Sequence, residues 1–254
     1  MRFPVDTLAT AVQASALLLL CSCSQREVPC SVGRSLPYAA KYKPISLQGL
    51  CDGAVVAELG GDQIGLTAYN TVGVNGLPDT SKIQVAIRTA FMGAPTAAAA
   101  ERGVVDPGGA AAAIGPFSSD VPDENGLCIA QTLAPTTQVL PALDADADNE
   151  LEAQPARAMT EIWSDVSVYV DASALGTQMT GTYTVTEAAC SASYQVMAVY
   201  PATDCTGADG AADDSVCQAV EAGISPDFPV VCDPALLLCV LDADVDAALP
   251  IFKP

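Results

Sequence analysis

The chain has 254 residues and a formal net charge of -20 at pH 7, from 10 basic and 30 acidic residues. Residues 23–102 are nearly balanced in charge, whereas residues 103–254 hold most of the acidic groups. Such an acidic field repels phosphate backbones and argues against nucleic-acid binding. The absence of histidine excludes Ser-His-Asp and Cys-His nucleophiles and imidazole metal ligands.

The first predicted element is an export signal. Arg2 precedes an apolar run at residues 8–20. As a helix this run would be about 20 Å long, too short for the ~30 Å apolar core of a bilayer. A basic start followed by a short apolar run is typical of a cleaved signal peptide. We therefore expect residues 1–22 to be removed on export.

The end of this run, Leu20-Cys21-Ser22-Cys23, resembles the lipobox of bacterial lipoproteins. The resemblance implies cleavage after Ser22, a diacylglycerol on the thiol of Cys23, and attachment to a membrane through that lipid. Ser24 then implies an outer-membrane or cell-surface lipoprotein, if the bacterium has two membranes. Cleavage after Ser24 would instead give a secreted or periplasmic soluble protein. Beyond the lipobox, we recognise no domain family in the mature chain.

The cysteines that follow Cys23 predict a disulfide framework. They number eight, an even count that allows four disulfides in an oxidising compartment. The sequence does not determine their pairing, and joining nearest neighbours is only one guess. A metal site is disfavoured because no Cys-x-x-Cys pair is present. The eight are Cys30, Cys51, Cys128, Cys190, Cys205, Cys217, Cys232 and Cys239.

Residues 23–104 are predicted to form an N-terminal β region. Apolar and polar side chains alternate around Ile83, Val85 and Ile87, which is typical of a half-buried strand. Alanines after Thr96, with Thr96 as the cap, indicate a short helix. The predicted elements are strands at 53–59, 63–72 and 82–92 and a helix at 96–102.

Residues 105–157 are rich in Gly, Pro, Ala and Asp, and are predicted to form an acidic loop or linker. Within them, the run from Asp144 to Glu152 resembles the Asp-x-Asp-x-Asp loops that bind Ca²⁺ in EF-hand and thrombospondin-type repeats. Pro155 departs from the EF-hand pattern, which needs a bidentate Glu there. The alternative is a solvated linker without an ion. The resemblance implies a calcium cofactor held by Asp144, Asp146, Asp148, Glu150 and Glu152.

Residues 158–254 are predicted to form a second β region with a cysteine-rich tail, either alone or as one domain with 23–104. Threonines occupy one face of a predicted strand, and Met179, Tyr183 and Val185 occupy the other. The predicted strands are 162–170, 178–186, 193–200 and 235–241. The whole pattern predicts a mostly β fold: an antiparallel β-sandwich or meander with short helices and disulfides.

These features predict an exported, lipid-anchored protein of the cell envelope with a non-catalytic binding or structural role. Its partners would be the membrane, through the lipid on Cys23, and an unidentified envelope component. No catalytic residue is indicated, and no cofactor except calcium. Two alternatives stay open: a calcium-stabilised surface adhesion module, and a secreted hydrolase that uses paired carboxylates. Such a hydrolase would show a concave pocket holding two carboxylates of raised pKa.

Overall fold

The computed structural model describes residues 28–33, 35–107, 112–145 and 152–253. The predicted signal peptide and Cys23 lie outside this part of the chain. The strands are β1 (Tyr38–Gly49), β2 (Gly61–Val72), β3 (Pro78–Thr89), β4 (Ala113–Pro116), β5 (Leu127–Thr132), β6 (Thr136–Leu140), β7 (Arg157–Asp171), β8 (Ala174–Glu187), β9 (Cys190–Val199), β10 (Val230–Asp233) and β11 (Leu238–Leu241). The helices are α1 (Ala90–Glu101) and α2 (Asp214–Gln218), with 3-10 turns at Val55–Ala57 and Val220–Ala222. Neither helix of the described part is long and apolar enough to cross a membrane.

Nine strands form one antiparallel sheet that closes almost into a barrel. The strand order is β4-β3-β2-β1-β9-β8-β7-β5, and β6 also pairs with β7. The two ends of this order approach each other, because Ala134 N donates a hydrogen bond to Ile114 O at 2.7 Å, and Ser118 N donates to Ile129 O at 2.7 Å. The prediction of a mostly β fold with antiparallel, meander-like strands is confirmed.

Strands from both halves of the sequence share this sheet, because β1 pairs with β9 over most of its length. The segment 105–157, predicted as a loop or linker, contributes β4, β5 and β6. Its Gly and Pro residues lie mainly in the connections, while pairing with β3 and β7 makes the short intervening runs extended. Composition alone does not indicate strands that depend on such partners.

The interior of the sheet contains a row of aromatic side chains. In the register of β7, β8 and β9, Trp163 lies opposite Tyr183, and Tyr183 lies opposite Tyr194. Their ring centroids are 4.9 and 6.3 Å apart, distances at which aromatic rings attract each other. Met179 and Val185 are buried on the same face as Tyr183. The predicted division of this strand into two faces is therefore confirmed.

α1 begins earlier than the sequence predicts. Thr89, rather than Thr96, is the N-cap, and its hydroxyl accepts a hydrogen bond from Met92 N at 3.2 Å. Thr96 lies inside the helix, where its hydroxyl donates to Met92 O at 3.1 Å. The predicted strand at 53–59 is also wrong, since only the 3-10 turn forms there. β3 passes directly into α1, and Met92 packs into the core.

The disulfides do not join nearest neighbours along the chain, so that guess is wrong. Two of them attach the segment before β1 and the β1–β2 connection to the sheet, and two hold the segment after β9. This C-terminal segment covers the outer face of the sheet, where Phe228 and Leu241 share a buried cluster with Ala39 and Met197. The pairs are Cys30–Cys128, Cys51–Cys190, Cys205–Cys232 and Cys217–Cys239.

Removing a disulfide that closes a long loop should cost more stability than removing one that closes a short loop. The Cys51–Cys190 pair is separated by 139 residues and the Cys205–Cys232 pair by 27. On the chain-entropy model, replacing each pair with alanines should lower the free energy of unfolding by about 5 and about 3.5 kcal/mol respectively. Urea unfolding of the two double variants measures both losses. Equal losses would show that loop entropy does not set their ranking.

Candidate functional site

The barrel has two ends, which we name after the first and last residues of β1. The Tyr38 end also contains Val199 of β9 and the turn between β7 and β8. The Gly49 end contains Cys190 and the turn between β8 and β9. The start of β7 lies at the Gly49 end as well, because its pairing with β8 runs from Met159 opposite Glu187.

A cleft of about 500 Å³ opens at the Gly49 end, between α1 and the chain that leads into β7. Most of its wall is apolar, and two charged side chains, Arg157 and Glu187, stand at its edge. A cleft of this size with few polar groups is typical of a site for a small molecule or a short apolar segment. The apolar wall is formed by Val55, Phe91, Ala94, Pro95, Ala98 and Pro155.

Arg157 is held in one position by its surroundings. Pro95 has no N–H, so the carbonyl of Phe91 loses its usual helical partner. Arg157 Nη1 donates to this carbonyl at 3.1 Å. The guanidinium carbon lies 4.5 Å from the centre of the Phe91 ring, and Nε lies 3.7 Å from Glu187 Oε1. The cleft therefore presents a fixed cation beside an apolar wall.

A buried carboxylate, Glu161 of β7, lies inside the barrel near this cleft. Its Oε1 accepts hydrogen bonds from Thr89 Oγ1 and Tyr183 Oη, each at 2.6 Å. Its Oε2 is buried and has no hydrogen-bond partner among the described residues. Burial raises the pKa of Glu161, although these two hydrogen bonds and the charge of Arg157 act in the opposite direction. Tyr42 Oη and Trp163 Nε1 are also buried without a described partner.

A second carboxylate, Asp62 of β2, binds the start of α1. Its Oδ2 accepts a hydrogen bond from Phe91 N at 2.8 Å, and its Oδ1 accepts from Gln63 N at 2.7 Å. Burial raises the pKa of Asp62 to about 6, despite these backbone hydrogen bonds. The negative charge of Asp62 further raises the pKa of Glu161. The structure thus brings together two carboxylates with raised pKa values.

Neither Asp62 nor Glu161 lines the cleft, although a paired-carboxylate hydrolase would need both groups to reach a substrate. Glu161 is completely buried. The oxygens that bond to Thr89, Tyr183 and the α1 backbone are already used in holding the fold. This geometry describes an internal polar cluster that fixes α1 over the barrel.

The predicted calcium loop is described only at its two ends. Arg102 Nη1 donates to Asp144 O at 2.6 Å, and Arg102 Nη2 donates to Glu152 O. Leu143 and Gln154 exchange two backbone hydrogen bonds of 2.8 Å, which close the base of the loop. The three acidic residues Asp146, Asp148 and Glu150 lie outside the described part of the chain. Calcium binding by this run stays a prediction.

One group of cysteine sulfurs has the spacing of a metal site. The sulfurs of Cys205, Cys217 and Cys232 lie within 4.8 Å of one another. Each of them is in a disulfide, and only a thiolate sulfur binds metal well. The cluster therefore consists of two neighbouring disulfides.

Sequence reasoning missed Asp62, Glu161 and Arg157. A signal for Glu161 was present, since it stands in phase with the apolar Met159 and Trp163 on alternate positions of β7. A carboxylate at an inward position of a strand is unusual and indicates a buried polar cluster. Nothing in the local sequence links Arg157 to the carbonyl that Pro95 leaves free, because the two residues meet only in the folded chain.

The raised pKa values of Asp62 and Glu161 should make the protein less stable as the pH rises. A carboxyl group with a raised folded-state pKa binds its proton more tightly in the folded than in the unfolded chain. The stabilisation that this tighter proton binding gives the folded protein is fully present below about pH 4. It is lost as the pH rises past the pKa of Asp62, which is about 6. We expect a loss on the order of 1–3 kcal/mol between pH 4 and 7, measured by urea unfolding.

Glu161→Gln separates this effect from general charge repulsion. Glutamine keeps an oxygen that can accept from Thr89 and Tyr183 but does not titrate, so the pH dependence of unfolding should become weaker. Glu124→Gln is the control, because Glu124 is exposed and its replacement should leave the dependence unchanged. An unchanged dependence in Glu161→Gln would contradict a raised pKa at Glu161.

Comparison with known proteins identifies a family. The sequence profile of the MlpA family matches residues 36–201, which contain β1 to β9. A Myxococcus xanthus protein named "Putative lipoprotein MlpA" is 30% identical over 239 residues, covering 91% of this chain and 89% of that protein. No solved structure matches. The expectation that the mature chain matches no domain family is therefore wrong. The sequence alone did not reveal the family, because the likeness is spread over the barrel rather than concentrated in a short motif. The chain belongs to the MlpA family.

Proposed function

We propose that the chain is an exported lipoprotein of the cell envelope whose barrel has a non-catalytic binding role. Residues 1–22 are the signal peptide, and Cys23 carries the lipid. The observation that carries this proposal is a match that covers 91% of this chain, to a protein whose name includes the word lipoprotein. This match occurs in a chain with its own lipobox, Leu20-Cys21-Ser22-Cys23.

The disulfides support export. Eight cysteines form four disulfides in the described part of the chain, and structural disulfides form mainly outside the cytosol. Cys30 is bonded to Cys128, and only Ser24 to Pro29 separate it from Cys23. The lipid would therefore hold the barrel close to the membrane surface. Ser24 favours the outer membrane or cell surface over retention at the inner membrane.

The cleft at the Gly49 end is the binding site that we propose. Its wall would accept an aliphatic or aromatic group, while the fixed guanidinium of Arg157 would orient an acidic group beside it. Binding is favoured over hydrolysis because the paired carboxylates Asp62 and Glu161 are hydrogen-bonded to the protein itself. The ligand class is therefore an amphipathic organic acid of the envelope.

Replacing the proposed lipid-bearing cysteine should release the protein from the membrane. With Cys23→Ala there is no thiol to acylate, so the protein should move from the membrane fraction to the soluble fraction or keep its signal peptide. Mass spectrometry of the non-reduced wild type should give residues 23–254 with an acyl mass. The matched control is Cys21→Ala, which leaves the lipidated thiol in place. An unacylated mature chain that begins at Gln25 would overturn lipidation.

Filling the cleft should weaken binding of an amphipathic acid. We expect the fluorescent probe 1-anilinonaphthalene-8-sulfonate to bind the wild type, and Ala94→Trp to weaken it about tenfold, or 1.4 kcal/mol, because Ala94 lines the cleft. The control is Ala100→Trp, on the opposite, exposed side of α1. Titration of probe fluorescence measures both affinities. Equal affinities in the two variants would remove the cleft as the binding site.

A further inference from the structure

We propose that the Tyr38 end of the barrel rests against the lipid bilayer, with the tip of the hairpin between β2 and β3 inserted among the lipids. This inference rests on the proposed function, because it requires anchoring through Cys23. It adds the face of the barrel that contacts the membrane and the residues that enter it. The hairpin tip is defined as residues 72–78.

The N-terminal segment is fixed at the Tyr38 end. Gly33 N donates to Gly176 O at 3.0 Å, next to the turn between β7 and β8. Gly176 has no room for a side chain, because Ser31 and Val32 pack directly against it. The Cys30–Cys128 disulfide holds the same segment to β5. The first described residues of the chain therefore lie at the Tyr38 end of the barrel.

The number of residues before this segment limits the distance to the membrane. Cys23 precedes Val28 by five residues, and an extended chain spans at most about 3.6 Å per residue. The lipid-bearing residue is thus within about 18 Å of Val28. A surface of the Tyr38 end that lies within this distance of Val28 can therefore reach the bilayer.

The hairpin of β2 and β3 projects from this end. Ile64 of β2 lies opposite Tyr38, and the strand continues beyond it to Val72. A cavity of about 650 Å³ is lined jointly by residues 29–33 and by Tyr69 and Asn70 of β2. The hairpin therefore lies beside the N-terminal segment and extends past the start of β1.

The tip of this hairpin is ordered and apolar. Gly73 N donates to Leu77 O at 2.8 Å, and Asn75 Oδ1 accepts from Leu77 N at 3.1 Å, so the turn is closed by its own polar groups. Val72, Val74 and Leu77 are nevertheless 78%, 112% and 63% exposed. Leu36 and Leu175 add two further exposed apolar side chains at this end. Exposed apolar residues grouped in this way mark a surface that contacts a partner or a membrane.

Exposure alone does not select this end, because Leu50 at the Gly49 end is 83% exposed. The position of the N-terminal segment selects it, since the lipid on Cys23 would bring the bilayer to the Tyr38 end. Insertion would be driven by apolar contact rather than by charge. Asp120 and Asp171 are exposed near this end, and carboxylates are repelled by anionic lipids.

The test uses full-length, lipidated protein in vesicles of phosphatidylcholine, with and without a dibrominated phosphatidylcholine that quenches tryptophan. Leu77→Trp reports on the hairpin tip. Leu50→Trp is the matched control, with the same substitution at an exposed leucine of the opposite end. The native Trp163 is completely buried and gives a constant background. Mass spectrometry of each preparation establishes whether Cys23 is acylated.

We expect Leu77→Trp to show blue-shifted emission that the brominated lipid quenches, and Leu50→Trp to show neither change. Adding anionic phosphatidylglycerol should reduce the quenching of Leu77→Trp. Acylated protein in which the lipid quenches neither tryptophan would overturn this inference and leave the proposed function standing. A blue shift without quenching would show a protein contact, such as a second copy, and would also overturn it. Protein that lacks the acyl group would overturn both.

Discussion

The pairing of β1 with β9 is the contact on which the rest of the structure depends. These strands come from opposite halves of the sequence and align antiparallel through ten residue pairs. Each brings its own meander, β1 to β4 on one side and β7 to β9 on the other, and the pairing turns two open sheets into one nearly closed sheet. Closing a sheet removes most of its unpaired edge, where strands otherwise associate with other chains. The Cys51–Cys190 disulfide lies next to the last residue pair and fixes this register.

The interior of the barrel is not wholly apolar, and its polar groups serve the fold. Asp62 accepts a hydrogen bond from the first turn of α1, and Thr89 both caps that helix and donates to Glu161. Three separate elements, β2, β7 and α1, are joined by these contacts. Burying the two carboxylates costs free energy. These contacts hold α1 in one position over the barrel, and they thereby give the cleft beside it a defined wall.

On the proposed function the two ends of the barrel have different roles, because the segment before β1 is bonded to only one of them. The N-terminal segment is bonded to the Tyr38 end, so a lipid on Cys23 would place that end at the membrane. The cleft with Arg157 and Glu187 lies at the Gly49 end, and would then face away from the bilayer. On the proposed function, the binding cleft would then be open to envelope components. The acidic C-terminal segment covers part of the outer face of the sheet.

The sequence by itself determined the features that depend on neighbouring residues. The predicted export signal and the long strands β2, β3, β7, β8 and β9 each follow from a short stretch with its own composition or periodicity. The even number of cysteines that predicts disulfides is counted directly from the sequence. Periodicity tells which face of a strand is buried but does not identify its partner. The sequence did not predict the short strands β4 to β6, because their extended form depends on pairing with β3 and β7.

Only the tertiary structure decided the disulfide pairing, the start of α1, the carboxylate cluster and the cleft. Each depends on contacts between residues that are far apart in the chain, up to 139 positions for Cys51 and Cys190. Arg157 shows the reason most clearly, because it bonds to a backbone carbonyl that Pro95 left without a partner. Nothing in the sequence around Pro95 or Arg157 indicates that the two come together. The closure of the sheet brings them together and thereby forms the edge of the cleft.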